Sequence, residues 1–254
     1  MSLSRRVVVC LDVRGDRVVK GTRFQSLRDM GSPSVLAEHY ESEGADELVF
    51  LDIAASTEDR STLFASVRQA AERVFIPLTV GGGVRSVADA GDALRAGADK
   101  VSVNSAAVAD PALLSAMAAR FGSQCVVASI DAVREKHSWS VYTHGGTRCT
   151  GRDAIAWAVE CARLGAGEIL LTSIDRDGTR DGYDVVLTAA VAAAVDVPVI
   201  ASGGAGSAGD VRDVLVAGNA AAALVAGILH EQVTSVRAIK TSLARAGLPV
   251  RLTQ

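Results

Sequence analysis

Short β-branched runs recur along the chain at about 7–12, 48–52, 76–80, 100–103, 125–130, 168–171, 197–201 and 221–225. None has the clean apolar/polar alternation of a strand with one wet face, so each reads as a parallel strand covered on both sides. Helix-period segments lie between them, with start and stop signals: Pro33 to Glu43 closed by Gly44, Ser86 to Ala96 by Gly97, Pro111 to Arg120 by Gly122, and Asp153 to Leu164 by Gly165. Further helical stretches fit 59–73, 184–195, 208–217 and 233–246, with Gly218 and Gly247 as stops. Eight strand–helix units predict an α/β fold, a (β/α)8 TIM barrel, ahead of a doubly wound open sheet.

One stretch breaks the alternation. Residues 132–150, AVREKHSWSVYTHGGTRCT, predict a small hairpin after the fifth strand, because WSVYT alternates and HGG is turn-like. The chain also repeats itself. GADELVFLDI at 44–53 aligns with GAGEILLTSI at 165–174, and IPLTVGGGVRSVADA at 76–90 with VPVIASGGAGSAGDV at 197–211. AGADKVSVNSAAV at 96–108 likewise faces AGNAAAALVAGIL at 217–229. The expected organisation is therefore one barrel domain over 1–254, built from two similar half-barrels of about 1–122 and 123–254. No linker suggests a second domain.

Composition narrows the function classes. A net charge of −3 with no Lys/Arg cluster argues against nucleic acid as a partner, because phosphate neutralisation needs a basic face. The apolar runs are too short to span a bilayer, and MSLSRRVVVC lacks a long apolar leader core. Cys10, Cys125, Cys149 and Cys161 show no CxxC spacing and suit a reduced, cytoplasmic protein. His39, His137, His144 and His230 have no ligand spacing, so neither a metal nor another cofactor is expected.

Polar residues at strand ends carry the candidate chemistry. VVVCLDV at 7–13 and VVASIDA at 126–132 each place an aspartate, Asp12 and Asp131, at the end of an aliphatic run. Either alone could cap a strand. Paired by the repeat, they would face one another across the mouth, where environments that push two carboxyl pKa values apart suit one to donate a proton and the other to accept it. TVGGGVRS at 79–86 and IASGGAGS at 200–207 are strand, glycines and helix start, an arrangement whose backbone amides can cradle phosphate or simply make a tight turn. The loops NSA at 104–106 and AGI at 226–228 would complete two anion sites on opposite rims. Two such sites imply a long substrate with a phosphate at each end. Lys20 and the connection 21–31 form a candidate lid, and Asp177-Gly178, in TSIDRDGTRDGYD, a turn able to hold ligand hydroxyls. Arg6, Glu47, Lys100 and Glu168 open strands one, two, four and six with alternating sign, an ion-pair layer at the barrel floor on its ordinary reading.

CLDVRGDRVVKG, FQSLRDMG, GADELVFLDI, VGGGVRS, GADKVSVNSAAV, GSQCVVASIDA, GAGEILLTSIDRDGTRDGYD and VIASGGAG together resemble the cyclase subunits of imidazole glycerol phosphate synthases, from about residue 5 to 230. That resemblance implies a substrate with two phosphates, N'-[(5'-phosphoribulosyl)formimino]-5-aminoimidazole-4-carboxamide ribonucleotide, here the ribulosyl substrate. Ammonia is added, the formimino link is cleaved and an imidazole ring closes, giving imidazole glycerol phosphate and the aminoimidazole carboxamide ribonucleotide. It further implies that Asp12 and Asp131 are the acid/base pair and Lys20 the mobile-loop lysine. Gly82, Gly83, Asn104, Ser105, Gly203, Gly204, Ala226 and Gly227 would hold the phosphates, with Thr172, Asp177 and Gly178 in the ligand loop. A glutaminase subunit would dock on the N-terminal face and deliver ammonia through Arg6, Glu47, Lys100 and Glu168 as a charged gate.

The chain departs from the family pattern after strand eight. The usual AASVFH reads VAGILH, so Gly227 replaces a serine, and GNAAAALV is one residue longer than usual. Two alternatives stand beside the cyclase: the sister isomerase of the pathway, also a half-barrel repeat with two aspartates, and a non-catalytic phosphate-binding scaffold that activates a glutaminase.

Overall fold

The structure, a computed structural model, describes residues 3–22, 25–53 and 60–252. The elements run β1 (Arg6–Arg14), β2 (Arg17–Thr22), β3 (Gln25–Gly31), α1 (Pro33–Ser42), β4 (Glu47–Asp52), α2 (Arg60–Ala71), β5 (Leu78–Gly81), α3 (Val87–Arg95), β6 (Lys100–Val103), α4 (Ser105–Ala109) and α5 (Ala112–Phe121). There follow β7 (Val126–Arg134), β8 (Trp139–Thr143), β9 (Arg148–Asp153), α6 (Ala154–Arg163), β10 (Glu168–Ser173), α7 (Val185–Ala194), β11 (Val199–Ser202), α8 (Ala208–Val216), β12 (Ala222–Val225), α9 (Gly227–His230) and α10 (Val236–Arg245).

Strands β1, β4, β5, β6, β7, β10, β11 and β12 pair in parallel in that order, and β12 returns to β1, closing an eight-stranded (β/α)8 barrel. The open-sheet alternative is excluded by this closure. The hairpin expected within 132–150 is present as β8 and β9, with β7 extended to Arg134 so that Asp131 lies opposite Tyr142. Its turn carries His144, Gly145 and Gly146 at positive φ. A second hairpin was not expected: β2 and β3 occupy most of what reads in the sequence as a long loop. Arg23 and Phe24, within that connection, lie outside the described residues.

Strand periodicity sorts the barrel's two faces. Val7, Val9, Leu11 and Val13 of β1 join the large core under the helices, whereas Val8 and Cys10 pack inside the barrel with Val49, Val127, Leu170, Ile200, Ala222 and Leu224. Arg6 and Asp12 share the parity of Val8 and Cys10. A single line of inward residues thus runs from a charge at the floor, through an apolar middle, to a carboxylate at the mouth. Glu168, Leu170 and Thr172 repeat the line on β10, and Val127, Ser129 and Asp131 supply its upper part on β7, in register with them.

The added residue before strand eight is absorbed at a turn. β5 and β11 are 121 positions apart, Leu78 to Val199, but β6 and β12 are 122 apart, Lys100 to Ala222. Asn219, at φ 51, takes the extra step, so Gly218 is not the left-handed helix stop that the sequence predicts. Gly218 is needed for space instead, since a Cβ there would come within 2.5 Å of the Val214 carbonyl oxygen.

Candidate active site at the barrel mouth

Asp12 and Asp131 stand near the C-terminal ends of β1 and β7, strands separated on one side by three others, β4, β5 and β6. Both face the interior and both are partly buried. Cys10 Sγ lies 3.6 Å from Asp12 Oδ1. Asp131 is in register with Thr172 and accepts a 2.8 Å hydrogen bond from Asn104 Nδ2. Desolvation raises the Asp131 carboxyl to a pKa of about 6; the Asn104 bond opposes the shift and the Asp177 charge adds to it. A carboxyl poised there exchanges protons readily near neutral pH.

The glycine loops have the same geometry twice. Gly82 and Gly83 sit at φ 86 and 68, Gly203 and Gly204 at φ 90 and 106. A Cβ on Gly82 would come within 2.2 Å of Asp52 O, and one on Gly204 within 2.2 Å of Gly182 O, so only glycine fits this close approach of two backbones. Ser86 caps α3 by accepting from Asp89 N–H while Asp89 accepts from Arg85 N–H; Ser207, Asp210 and Gly206 repeat that set at α8. Each loop therefore ends on an ordered helix N-terminus.

Asn104 and Ala226 are N-cap residues of the short α4 and α9, with closely matched backbones of φ −119, ψ −88 and φ −136, ψ −78. Ser105 and Gly227 are the first residues of those helices. Ser105 Oγ also accepts from His144 N–H at 3.0 Å, which ties the β8–β9 hairpin to that rim. Asp177 is exposed in the loop after β10 and Gly178 turns it at φ 76. Lys20 lies in β2, beside β1, and its backbone pairs with Arg28 of β3.

At the opposite end, Arg6, Glu47, Lys100 and Glu168 close a ring. Each glutamate gives one oxygen to Arg6 and the other to Lys100, the Lys100 contacts both being 2.9 Å. Burial works against the charge on Arg6 and Lys100, yet the two carboxylates more than offset it, and both pKa values are raised. Arg6 and Lys100 therefore keep their charge, and the four side chains are mutually bound.

Several polar groups near the mouth escape a reading of the sequence. Glu231, just beyond α9, binds both Arg28 of β3 and Arg180 of the loop after β10. Their separation in sequence hides the cluster; in the structure Arg180 sits at φ 63, between the positive-φ Gly178 and Gly182. His230 is buried between Tyr40 and the Cys10 carbonyl.

A closed (β/α)8 barrel with paired carboxylates at the C-terminal mouth has the layout of a barrel enzyme. The family model described as "Histidine biosynthesis protein" matches residues 6–235. The chain is 67% identical over 249 residues to "Imidazole glycerol phosphate synthase subunit HisF" of Myxococcus xanthus, covering 98% of each chain. Relatives of the same name from Dehalococcoides mccartyi and Hyphomonas neptunium are 57% and 56% identical, over 98% of this chain and 99% of theirs. The chain belongs to the histidine biosynthesis family and, within it, to the HisF cyclase subunits of imidazole glycerol phosphate synthase. The sister isomerase is accordingly disfavoured. Among the described residues no helix is long and apolar enough to cross a membrane.

Proposed function

We propose that the chain is a single barrel domain of two half-barrels, acting in the cytoplasm, that closes the imidazole ring of imidazole glycerol phosphate from the ribulosyl substrate and ammonia. One phosphate rests on Gly82, Gly83, Asn104 and Ser105, the other on Gly203, Gly204, Ala226 and Gly227. Gly227 has no hydroxyl, so its contribution is backbone alone. The scissile formimino link then lies between Asp12 and Asp131, which shuttle protons as the link breaks and the ring closes. Thr172, Asp177 and Gly178 hold ligand hydroxyls, and Lys20 belongs to the substrate-binding set.

The observation that carries this reading is the inward line of β1, with its ionic floor, apolar middle and carboxylate mouth, whose lower part β10 repeats and whose carboxylate end β7 repeats. Ammonia in water near neutral pH is mostly ammonium, which is not a nucleophile. A dry barrel interior keeps it neutral on the way to the mouth, and the Arg6–Glu47–Lys100–Glu168 ring at the entrance is the gate. A glutaminase docks on that floor. Phe75, 92% exposed just before β5, and Leu3, 92% exposed before β1, give the N-terminal face an apolar anchor for it.

Conversion of the ribulosyl substrate by the purified protein with ammonium salt at alkaline pH tests the chemistry. The expected products are imidazole glycerol phosphate and the aminoimidazole carboxamide ribonucleotide in equal amounts. Ammonia-independent isomerisation of the formimino precursor, without cyclisation, would restore the isomerase alternative. Docking is tested by Phe75→Asp, which should abolish co-elution with the glutaminase while ammonium-driven turnover persists; unchanged co-elution would move the docking face elsewhere.

A further inference from the structure

We infer that His230 is a positioning residue for Asp12, its imidazole replacing a missing rung of the β1–β12 ladder and so fixing the catalytic strand end against the loop Ala226–Gly227. The inference deepens the cyclase reading and rests on it for its kinetic test.

The barrel's own register leads to this. Arg6 N–H donates to Ala221 O at 3.2 Å, so Arg6, Val8, Cys10 and Asp12 direct their backbone groups toward β12. The pairing runs from Arg6↔Ala222 to Val9↔Val225 and ends there. Continued by one rung, it would bring the Gly227 amide to the Cys10 carbonyl. Instead the chain turns at Ala226 into α9. One turn later, α9 places His230 Nε2 2.9 Å from Cys10 O. A carbonyl only accepts, so Nε2 carries the proton.

The other ring nitrogen is also engaged. Tyr40 OH lies 2.7 Å from His230 Nδ1. Burial pushes the Tyr40 phenol up to about 12, so the hydroxyl keeps its proton and is able to donate it to Nδ1. Both bonds are satisfied by the neutral Nε2–H tautomer, which Tyr40 on α1 selects. His230 is 8% exposed and Tyr40 3%. An interior hydrogen bond between groups this buried holds its geometry, because breaking it leaves polar atoms unpaired.

The consequence reaches the site along the chain. Asp12 is two residues past the anchored carbonyl and on the same face of β1, beyond the last β12 rung. On that side the ladder ends at Val9↔Val225, and the His230 bond carries the anchoring one residue further along β1. Turning α9 out of the ladder also takes the Gly227 amide away from β1. One imidazole thus sets both the aspartate and the loop opposite it, and a misplacement of about 1 Å at a reacting group costs on the order of a hundredfold in rate.

Three variants and one spectroscopic measurement test the assignment. His230→Leu keeps much of the volume and removes both bonds; His230→Gln can place an amide N–H where Nε2–H stands; Tyr40→Phe removes the tautomer selector. In ammonium-driven turnover, His230→Leu should lose kcat by at least about tenfold with KM also raised, His230→Gln should recover to within about threefold of the unaltered protein, and Tyr40→Phe should fall between them. Nitrogen-15 NMR of the ligand-free protein should show His230 as the Nε2–H tautomer. A folded His230→Leu protein with kcat and KM within about twofold of the unaltered one, or a glutamine variant no better than the leucine one, would overturn the inference. So would an Nδ1–H tautomer, a readout needing no turnover. Absence of turnover in the unaltered protein would count against the cyclase reading instead and leave the tautomer to decide.

Discussion

Asn104 and Asp131 form the clearest electrostatic relationship at the mouth: Nδ2 stands 2.8 Å from Oδ2 and pulls the carboxyl pKa down while burial pushes it up to about 6. Asn104→Leu removes the opposing bond and should raise the Asp131 pKa above that of the unaltered protein. Asp177→Asn removes the like charge and should lower it. Carbon-13 NMR titration of the Asp131 carboxyl reads both shifts, and movement in the same direction for the two variants would contradict the assignment of causes.

The raised pKa of Asp131 is also a stability statement. Between about pH 4 and pH 6 the folded protein binds more protons at this group than the unfolded chain does, so stability falls as pH rises through that window. Above it the ionised carboxylate remains a cost. Asp131→Asn should therefore stabilise the fold by about 1–2 kcal/mol at pH 8 and by little at pH 3, measured by urea denaturation, while cyclase turnover drops by at least about a hundredfold. Destabilisation at pH 8 would mean that the burial cost is offset by bonds not accounted for.

The floor ring predicts an asymmetry between its members' two tasks. Lys100→Met leaves one oxygen of Glu47 and one of Glu168 without its cation, and both glutamates are buried. A loss of about 3–5 kcal/mol in unfolding free energy is expected, the range for breaking a buried pair. Ammonium-driven turnover at a temperature where the variant is folded should survive, while glutamine-driven turnover with the glutaminase should decline. Equal loss of both would remove the gate role and leave only the structural one.

Glycines with positive φ should differ sharply in tolerance. Gly15, at φ 62, has nothing near its missing Cβ, so Gly15→Ala should cost about 1 kcal/mol from backbone strain alone. Gly82→Ala drives a methyl into the Asp52 carbonyl and should cost more than twice that, with KM raised because the loop must shift. Thermal denaturation of the two variants side by side checks the contrast. Similar losses would mean that the Asp52 backbone yields cheaply.

What the sequence made legible follows from what it encodes locally. Eight buried strands and their helices stand out because aliphatic runs and glycine stops are local signals, and the β8–β9 hairpin showed itself by the alternation in WSVYT. The β2–β3 hairpin did not, since KGTRFQSLRDMG is polar and lacks that alternation. The extra residue near strand eight was countable but not placeable until Asn219 proved to be the left-handed position. Asp12 and Asp131 could be paired through the repeat. By contrast, the Glu231 cluster and the Tyr40–His230–Cys10 bridge join residues up to about two hundred positions apart, with no repeat to align them. Only closure of the barrel brings them together.

In the proposed function Asp12 and Asp131 work between two phosphate grips. A crystal structure of the protein soaked with the ribulosyl substrate or its product tests it most directly. One phosphate should lie against Gly82, Gly83, Asn104 and Ser105, the other against Gly203, Gly204, Ala226 and Gly227, with the reacting atoms between the two carboxylates. A ligand held by a single phosphate, or one whose reacting atoms lie beyond reach of both aspartates, would contradict it.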